Sequence, residues 1–154
     1  MSLSIEKWGP NIWYFFHALA EKINENKFIE NKTNLIELVK IICLNLPCPD
    51  CSNDAKEIIN KTNFNVINTK EDFKKYIFNF HNHVNKKIGN PIFLYEDIES
   101  KYCKINVYVT FNNIIRIFNQ NSNNPKLMQN SMIRQHSVKT IINLFNSIKK
   151  DFDI

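Results

Sequence analysis

Glycine is almost missing from this chain. It occurs twice, at Gly9 and Gly89, in 154 residues. Neither a G-x-G-x-x-G turn nor a Walker-type loop can be built from two glycines that far apart, so any nucleotide must be held without a glycine-rich phosphate loop. Cysteine is scarce as well: the four are Cys43, Cys48, Cys51 and Cys103. Four are too few for a disulfide scaffold, and only Cys48 and Cys51 are close in sequence. No apolar run approaches the roughly 18 residues that span a bilayer, so no membrane partner is expected. The opening MSLSIEKWGP has neither the charged-then-apolar order of a secretory signal nor the Arg-rich character of a transit peptide. Clustered positive charge is absent too. The net charge is +5, yet the basic residues are scattered, with only pairs such as Lys86-Lys87 and Lys149-Lys150 adjacent. That is a solvated surface and not a nucleic-acid footprint.

What is present is a globular chain. Apolar residues make up 44% and aromatics 12% of 18.3 kDa, enough to bury a core without disulfides. Asparagine, at 25 residues, accompanies heavy use of Ile, Lys and Phe. This is a compositional bias spread over the chain and not a low-complexity segment. No internal repeat is found.

The periodicity predicts an all-α fold: a four-helix bundle, a short fifth helix and a helical C-terminal extension. From Trp8 to Asn26, Ile12, Phe16, Leu19 and Ile23 recur at helical spacing, and Pro10 suits a first turn. A second helix is expected over Asn34–Leu46, with Asn34 and Glu37 as a capping box and Pro47 as the stop. The third starts at the CxxC, Pro49 taking the first helical position and Cys48 the cap, and runs to about Asn60. After a polar loop, Thr69 and Asp72 form another capping box for a helix through Ile88, closed by Gly89 and Pro91. Tyr95–Lys104 reads as the short fifth helix. Ile105–Phe111 is β-branched and ambiguous, Gln120–Pro125 is a turn or linker, and Ser131–Phe152 is helical. The chain is thus divided into a domain over 1–104 and an extension over 105–154.

Cys48-Pro49-Asp50-Cys51 is the richest motif. A CxxC can be redox-active, half of a zinc site, or without a role. At a helix N-terminus a thiolate gains ~0.3 to 1 kcal/mol from the dipole, and Asp50 opposes ionisation slightly. Zinc needs two further ligands, sought among Cys43, Cys103, His17, His81, His83 and His136. There is no second CxxC, no CxxH and no HxxxH, and on a helix His81 and His83 point about 200° apart. No metal site is therefore assigned. A thioredoxin-like unit would place the CxxC after a strand, whereas helices flank it here.

Two helical faces accompany the motif. Phe73, Ile77, Phe80, Val84 and Ile88 form an apolar stripe, with His81, Asn82 and Asn85 on the arc beside it. Polar groups at such an edge cost roughly 1 to 3 kcal/mol each when unsatisfied, and a flat, heteroatom-rich ligand would satisfy them. Taken singly, each fits a solvent-edge residue of an Asn-rich chain. Trp13 and His17, four apart, taken alone fit core packing with a satisfied histidine; with Gly9 and Ala20 on the same stripe, a slot for an aromatic ring system is the other reading.

In order along the chain, Trp8-Gly9-Pro10 with Trp13 and His17, Leu46-Pro47-Cys48-Pro49-Asp50-Cys51 with Ala55, Phe80-His81-Asn82-His83-Val84-Asn85, and Gly89-Asn90-Pro91 resemble the Erv/ALR-type FAD-linked sulfhydryl oxidases. The resemblance covers about residues 8 to 102. It is nearest to the members carried by large DNA viruses. It implies a helical bundle that holds FAD without a Rossmann fold, Cys51 against the flavin and Cys48 exchanging disulfides with substrate. Gly9, Trp13, His17, Cys51, His81, Asn82, Asn85 and Lys87 are implied to line the cofactor, with Tyr102 where the family commonly has a Trp. It further implies thiol-containing protein substrates, molecular oxygen as acceptor with hydrogen peroxide as product, and a homodimer. The implied location is the host cytoplasm or virion for a viral member, or the mitochondrial intermembrane space. The chain departs from the pattern in lacking both a shuttle pair and a structural pair of cysteines, and in having Asn90 where Lys is usual. The competing hypothesis is a helical interaction module whose CxxC is a zinc half-site or a relic.

Overall fold

A computed structural model of the chain describes residues 5–120 and 124–153. Among the described residues all regular structure is helical, as the periodicity predicts. Seven α-helices occur: α1 (Ile5–Lys22), α2 (Phe28–Leu44), α3 (Pro49–Lys61), α4 (Lys70–Ile88), α5 (Glu96–Tyr102), α6 (Val107–Phe118) and α7 (Pro125–Ile148). Short 3-10 turns at Glu25–Lys27, Phe64–Val66 and Lys149–Asp151 complete the set.

α1 is the central helix. Trp8, Ile12, Phe15, Phe16 and Leu19 are buried, and the helix packs on α4 and α5 on one side and α6 on the other. Pro10 lies inside α1 and not in the expected first turn. Its missing N–H leaves the carbonyl of Glu6 without an i+4 donor, a local cost the surrounding core offsets. α2 begins at Phe28, six residues before the predicted capping box. Phe28 is fully buried and packs at a tilt against Phe73, so tertiary packing extends the helix past its weaker local signal. Asn34 caps nothing: its Nδ2 donates to Ser147 Oγ. The Thr69–Asp72 capping box forms, both of its reciprocal hydrogen bonds being made, and Gly89 closes α4 at φ 79°. That is the left-handed region, which glycine enters without steric cost.

The segment after Tyr102 resolves its own ambiguity. Asn106 caps α6 by accepting from the backbone N–H groups of Tyr108 and Val109. Val107, Thr110, Phe111, Ile114, Ile117 and Phe118 then bury one helical face. Val107, Val109 and Thr110 are therefore helical, while Ile105 precedes the cap outside the helix, because the spacing serves a period of 3.6 and not 2. Residues 121–123 of the expected linker lie outside the described residues, and α7 starts at Pro125, earlier than Ser131.

α6 and α7 share the core of the first five helices. α6 lies on α1 and α7 on α2, while Phe111 and Phe145 stack at 3.9 Å and 8° beneath Phe15. The end of the chain is tied to the α1–α2 corner. Asn24 N–H donates to Asp151 O, Asp153 N–H to Lys22 O, and Asn31 Nδ2 to the Asp151 carboxylate. No helix among the described residues is long and apolar enough to cross a membrane.

Candidate active site

The CxxC is built by the start of α3. Cys48 is extended (φ −124°, ψ 110°), its Sγ accepts the N–H of Cys51 at 3.2 Å, and Pro49 occupies the first helical turn. Ser52 braces the approach: its Oγ accepts the N–H of Leu46, and its own N–H reaches Cys48 O. Cys48 and Cys51 are joined in a disulfide with Cα atoms 5.2 Å apart. Both sulfurs therefore sit at the positive end of a helix of 13 residues, where a leaving thiolate is favoured.

α1, α3 and α4 enclose a cavity of about 120 Å³ beside the disulfide. Cys51 lines it and Cys48 does not. Its walls are apolar: Trp8, Ile12, Phe16, Ile58, Phe80 and Val84. Of the residues singled out in the sequence, Gly9, Trp13 and Lys87 also line this space. A Cβ built on Gly9 would meet only Ile5 Cγ2, at 3.5 Å. The chain's own packing thus does not demand glycine there, and its absent side chain widens the cavity. Lys87 reaches across to Asp54 at 2.8 Å. Each is about half exposed, so the pair contributes at most ~1 kcal/mol. Ile88, expected on the buried stripe, is instead 53% exposed at the cavity rim.

Trp13 joins the cavity to an aromatic cluster. Its ring stacks on His81 at 4.1 Å and 10°, and His17 stacks on Tyr102 at 4.1 Å and 9°. His17 Nε2 and His81 Nδ1 are hydrogen-bonded at 2.9 Å. Burial first, then the neighbouring imidazole and the Lys101 ammonium, lowers His17 to about 3. Burial and Lys101 lower His81 to about 4. Both rings are neutral at pH 7, one nitrogen of the pair donating and the other accepting. Lys101 Nζ lies over Phe93 at 4.0 Å and near Tyr102 at 5.5 Å, a cation–π seat.

The three polar residues of α4 have separate fates. His81 and Asn85 are buried, whereas Asn82 is half-buried and spends its amide on Phe93. Asn85 Nδ2 is buried with no partner among the described residues, as is Trp8 Nε1. His83 is exposed on the other side of the helix from His81, where it lines the cavity beside Val84 and Lys87. Among the described residues no three His, Cys, Asp or Glu side chains stand where they could hold a metal ion. Sequence reasoning did not single out Asp54, Phe93 or Lys101, and it weighed Cys43 only as a candidate zinc ligand. Asp54 lies three residues after Cys51, so the helical repeat already put it on the same face. Cys43 closes the cavity from α2, and burial raises its thiol far above its ordinary range. Phe93 and Lys101 enter only through the reversal of the chain after Gly89.

The site is thus a CxxC disulfide that caps a helix, with its second sulfur open on an apolar cavity. The Erv1 / Alr family model matches residues 10–103, well over half of the sequence, and the chain belongs to that family. α6 and α7 lie beyond the matched region. Among similar proteins, the FAD-linked sulfhydryl oxidase ERV1 of Arabidopsis thaliana is 29% identical over 100 residues, 65% of this chain and 52% of that protein. The FAD-linked sulfhydryl oxidase of African swine fever virus is 30% identical over 95 residues, 62% of this chain and 79% of the viral one. A putative FAD-linked sulfhydryl oxidase, 096R of Invertebrate iridescent virus 3, is 25% identical over 103 residues, 66% and 70% of the two chains. The chain spans about half the length of the plant relative. No solved structure matches it.

Proposed function

We propose that this chain is an FAD-linked thiol oxidase that forms disulfide bonds in protein substrates. The observation that carries the reading is the placement of Cys51, which faces the apolar cavity while its disulfide partner Cys48 stays outside it. A cofactor with a flat ring system fits this site on three counts. Gly9 leaves unfilled space on the cavity wall. Buried Asn85 Nδ2 and Trp8 Nε1 are donors without acceptors, each costing roughly 1 to 3 kcal/mol until one is supplied. Cavity and aromatic cluster are continuous through Trp13. Gly9, Trp13, Cys51 and Lys87 would hold the ring system, and His17, His81 and Tyr102 the remainder.

A substrate thiolate attacks Cys48 Sγ, breaking the Cys48–Cys51 bond and forming a mixed disulfide. Cys51 leaves as a thiolate at the N-terminus of α3, where the helix dipole stabilises it. The second substrate thiolate then attacks the substrate sulfur of that mixed disulfide and releases Cys48. The substrate gains a disulfide, and the CxxC holds two electrons as a dithiol. FAD held beside Cys51 would supply the two-electron acceptor that returns the CxxC to a disulfide, with molecular oxygen as the final acceptor and hydrogen peroxide as the product. The cavity wall beside Cys51 is largely apolar, and the neutral His17–His81 pair contributes no charge of its own.

The purified protein is expected to be yellow, with flavin absorbance in the visible. Cys48→Ser and Cys51→Ser should each abolish dithiothreitol turnover. A folded but colourless protein, or a fully active Cys51→Ser variant, overturns the assignment.

A further inference from the structure

The resemblance places Asn82 on the cofactor; the geometry points elsewhere. We infer that Asn82 is a positioning residue that acts through Phe93, holding the strand of chain after α4 against the cofactor site without touching the cofactor. The inference rests on the proposed FAD-binding function and names a residue that would determine how tightly the cofactor is held.

α4 ends at Gly89, whose left-handed backbone lets the N–H groups of Gly89 and Asn90 both turn back to Asn85 O. The chain then reverses through Pro91 and runs back beside the helix. Two turns upstream of the reversal, Asn82 meets it. Its Oδ1 accepts the N–H of Phe93 at 2.9 Å and its Nδ2 donates to Phe93 O at 3.0 Å. The carboxamide thus reproduces the paired donor and acceptor of a neighbouring β-strand and satisfies both backbone groups of one residue.

Phe93 is the residue that reaches the site. Its ring meets His81 edge to face, with centroids 4.7 Å apart and planes at 65°, and it seats the Lys101 ammonium. His81 in turn stacks on Trp13. Asn82 therefore fixes a wall of the aromatic cluster and the only cation placed over it among the described residues. A second tie holds the same segment at a different point: Tyr95 OH donates to Glu71, and the Tyr95 ring packs edge-on against Phe78. That tie lies away from His81, so the two can be broken separately.

The test compares Asn82→Ala, Asn82→Asp and Tyr95→Phe in the full-length holoprotein, reading flavin affinity by fluorescence titration and stability by thermal melting. Asn82→Ala should weaken FAD binding about tenfold or more, with the KM for dithiothreitol unchanged. Tyr95→Phe should lower the melting temperature with affinity within about twofold of the parent. Asn82→Asp supplies a readout that general loosening cannot imitate. A protonated carboxyl offers one O–H donor and one carbonyl acceptor, the same pair the amide offers, whereas a carboxylate only accepts and faces the Phe93 carbonyl. Its FAD affinity relative to the parent should therefore recover as the pH is lowered from 7 to 5. Unchanged affinity in Asn82→Ala overturns the inference, as do affinities that follow melting temperature alike in all three variants, or a pH-independent defect in Asn82→Asp. A parent protein that binds no FAD would instead defeat the proposed function itself.

Discussion

Acid should unfold this protein through two histidines, and the size of the effect follows from the site. Unfolded imidazoles titrate near 6.5. In the folded chain His17 is held at about 3 and His81 at about 4 by burial, with the Lys101 cation opposing protonation further. Below pH 6.5 the unfolded chain takes up a proton at each ring and the folded chain does not. The stability is therefore fully present above 6.5 and is lost as the pH falls toward 4. Each pH unit in that window costs about 1.4 kcal/mol per imidazole. From pH 7 to pH 5 the loss is about 2 kcal/mol for each histidine and about 4 kcal/mol for the pair, a large fraction of a typical ~5 to 15 kcal/mol domain stability. Urea unfolding of the parent and of His81→Gln at pH 7, 6 and 5, in the same flavin state, isolates one half of it. Carboxylates common to both proteins cancel in the difference. The stability advantage of the parent should shrink by about 2 kcal/mol between pH 7 and 5. A difference that stays constant would mean that the folded chain protonates His81 as readily as the unfolded one, and the buried, neutral pair would be refuted.

Two further outcomes test the scaffold. Phe145→Ala removes a ring stacked on Phe111 and packed against Phe15; equilibrium unfolding should show a loss of roughly 3 to 5 kcal/mol, and a loss below about 1 kcal/mol would mean that α7 is not part of the core. Thr69→Ala deletes the side-chain acceptor of the α4 capping box and should cost about 1 kcal/mol, read in the same assay, with flavin absorbance unaffected.

Much of the first ninety residues was legible because the signals there are local. Thr69 with Asp72, Gly89 at a helix end and Pro49 after Cys48 each solve a backbone problem within four residues, so their structural meaning travels with the sequence. α2 was read too short because Phe28 earns its place by meeting Phe73, a contact 45 residues away that no local rule registers. The same limit governed Ile105–Phe111. A β-branched run favours strand on propensity, and only the buried face of α6 against α1 decides for helix. In the site, Cys51 and Asp54 were readable as a face, while Phe93 and Lys101 depended on where the chain went after its reversal.

By itself, then, the sequence determined the helical class, the cap that sets Cys48 and Cys51 at a helix N-terminus, and the exclusion of glycine-loop nucleotide binding. These are properties of spacing and residue type. The tertiary structure alone decided that Cys51 opens on the cavity and Cys48 does not, that His17 and His81 meet in a neutral pair, and that Asn82 turns to Phe93. Such relations join elements far apart in the chain, and only packing sets the distances between them.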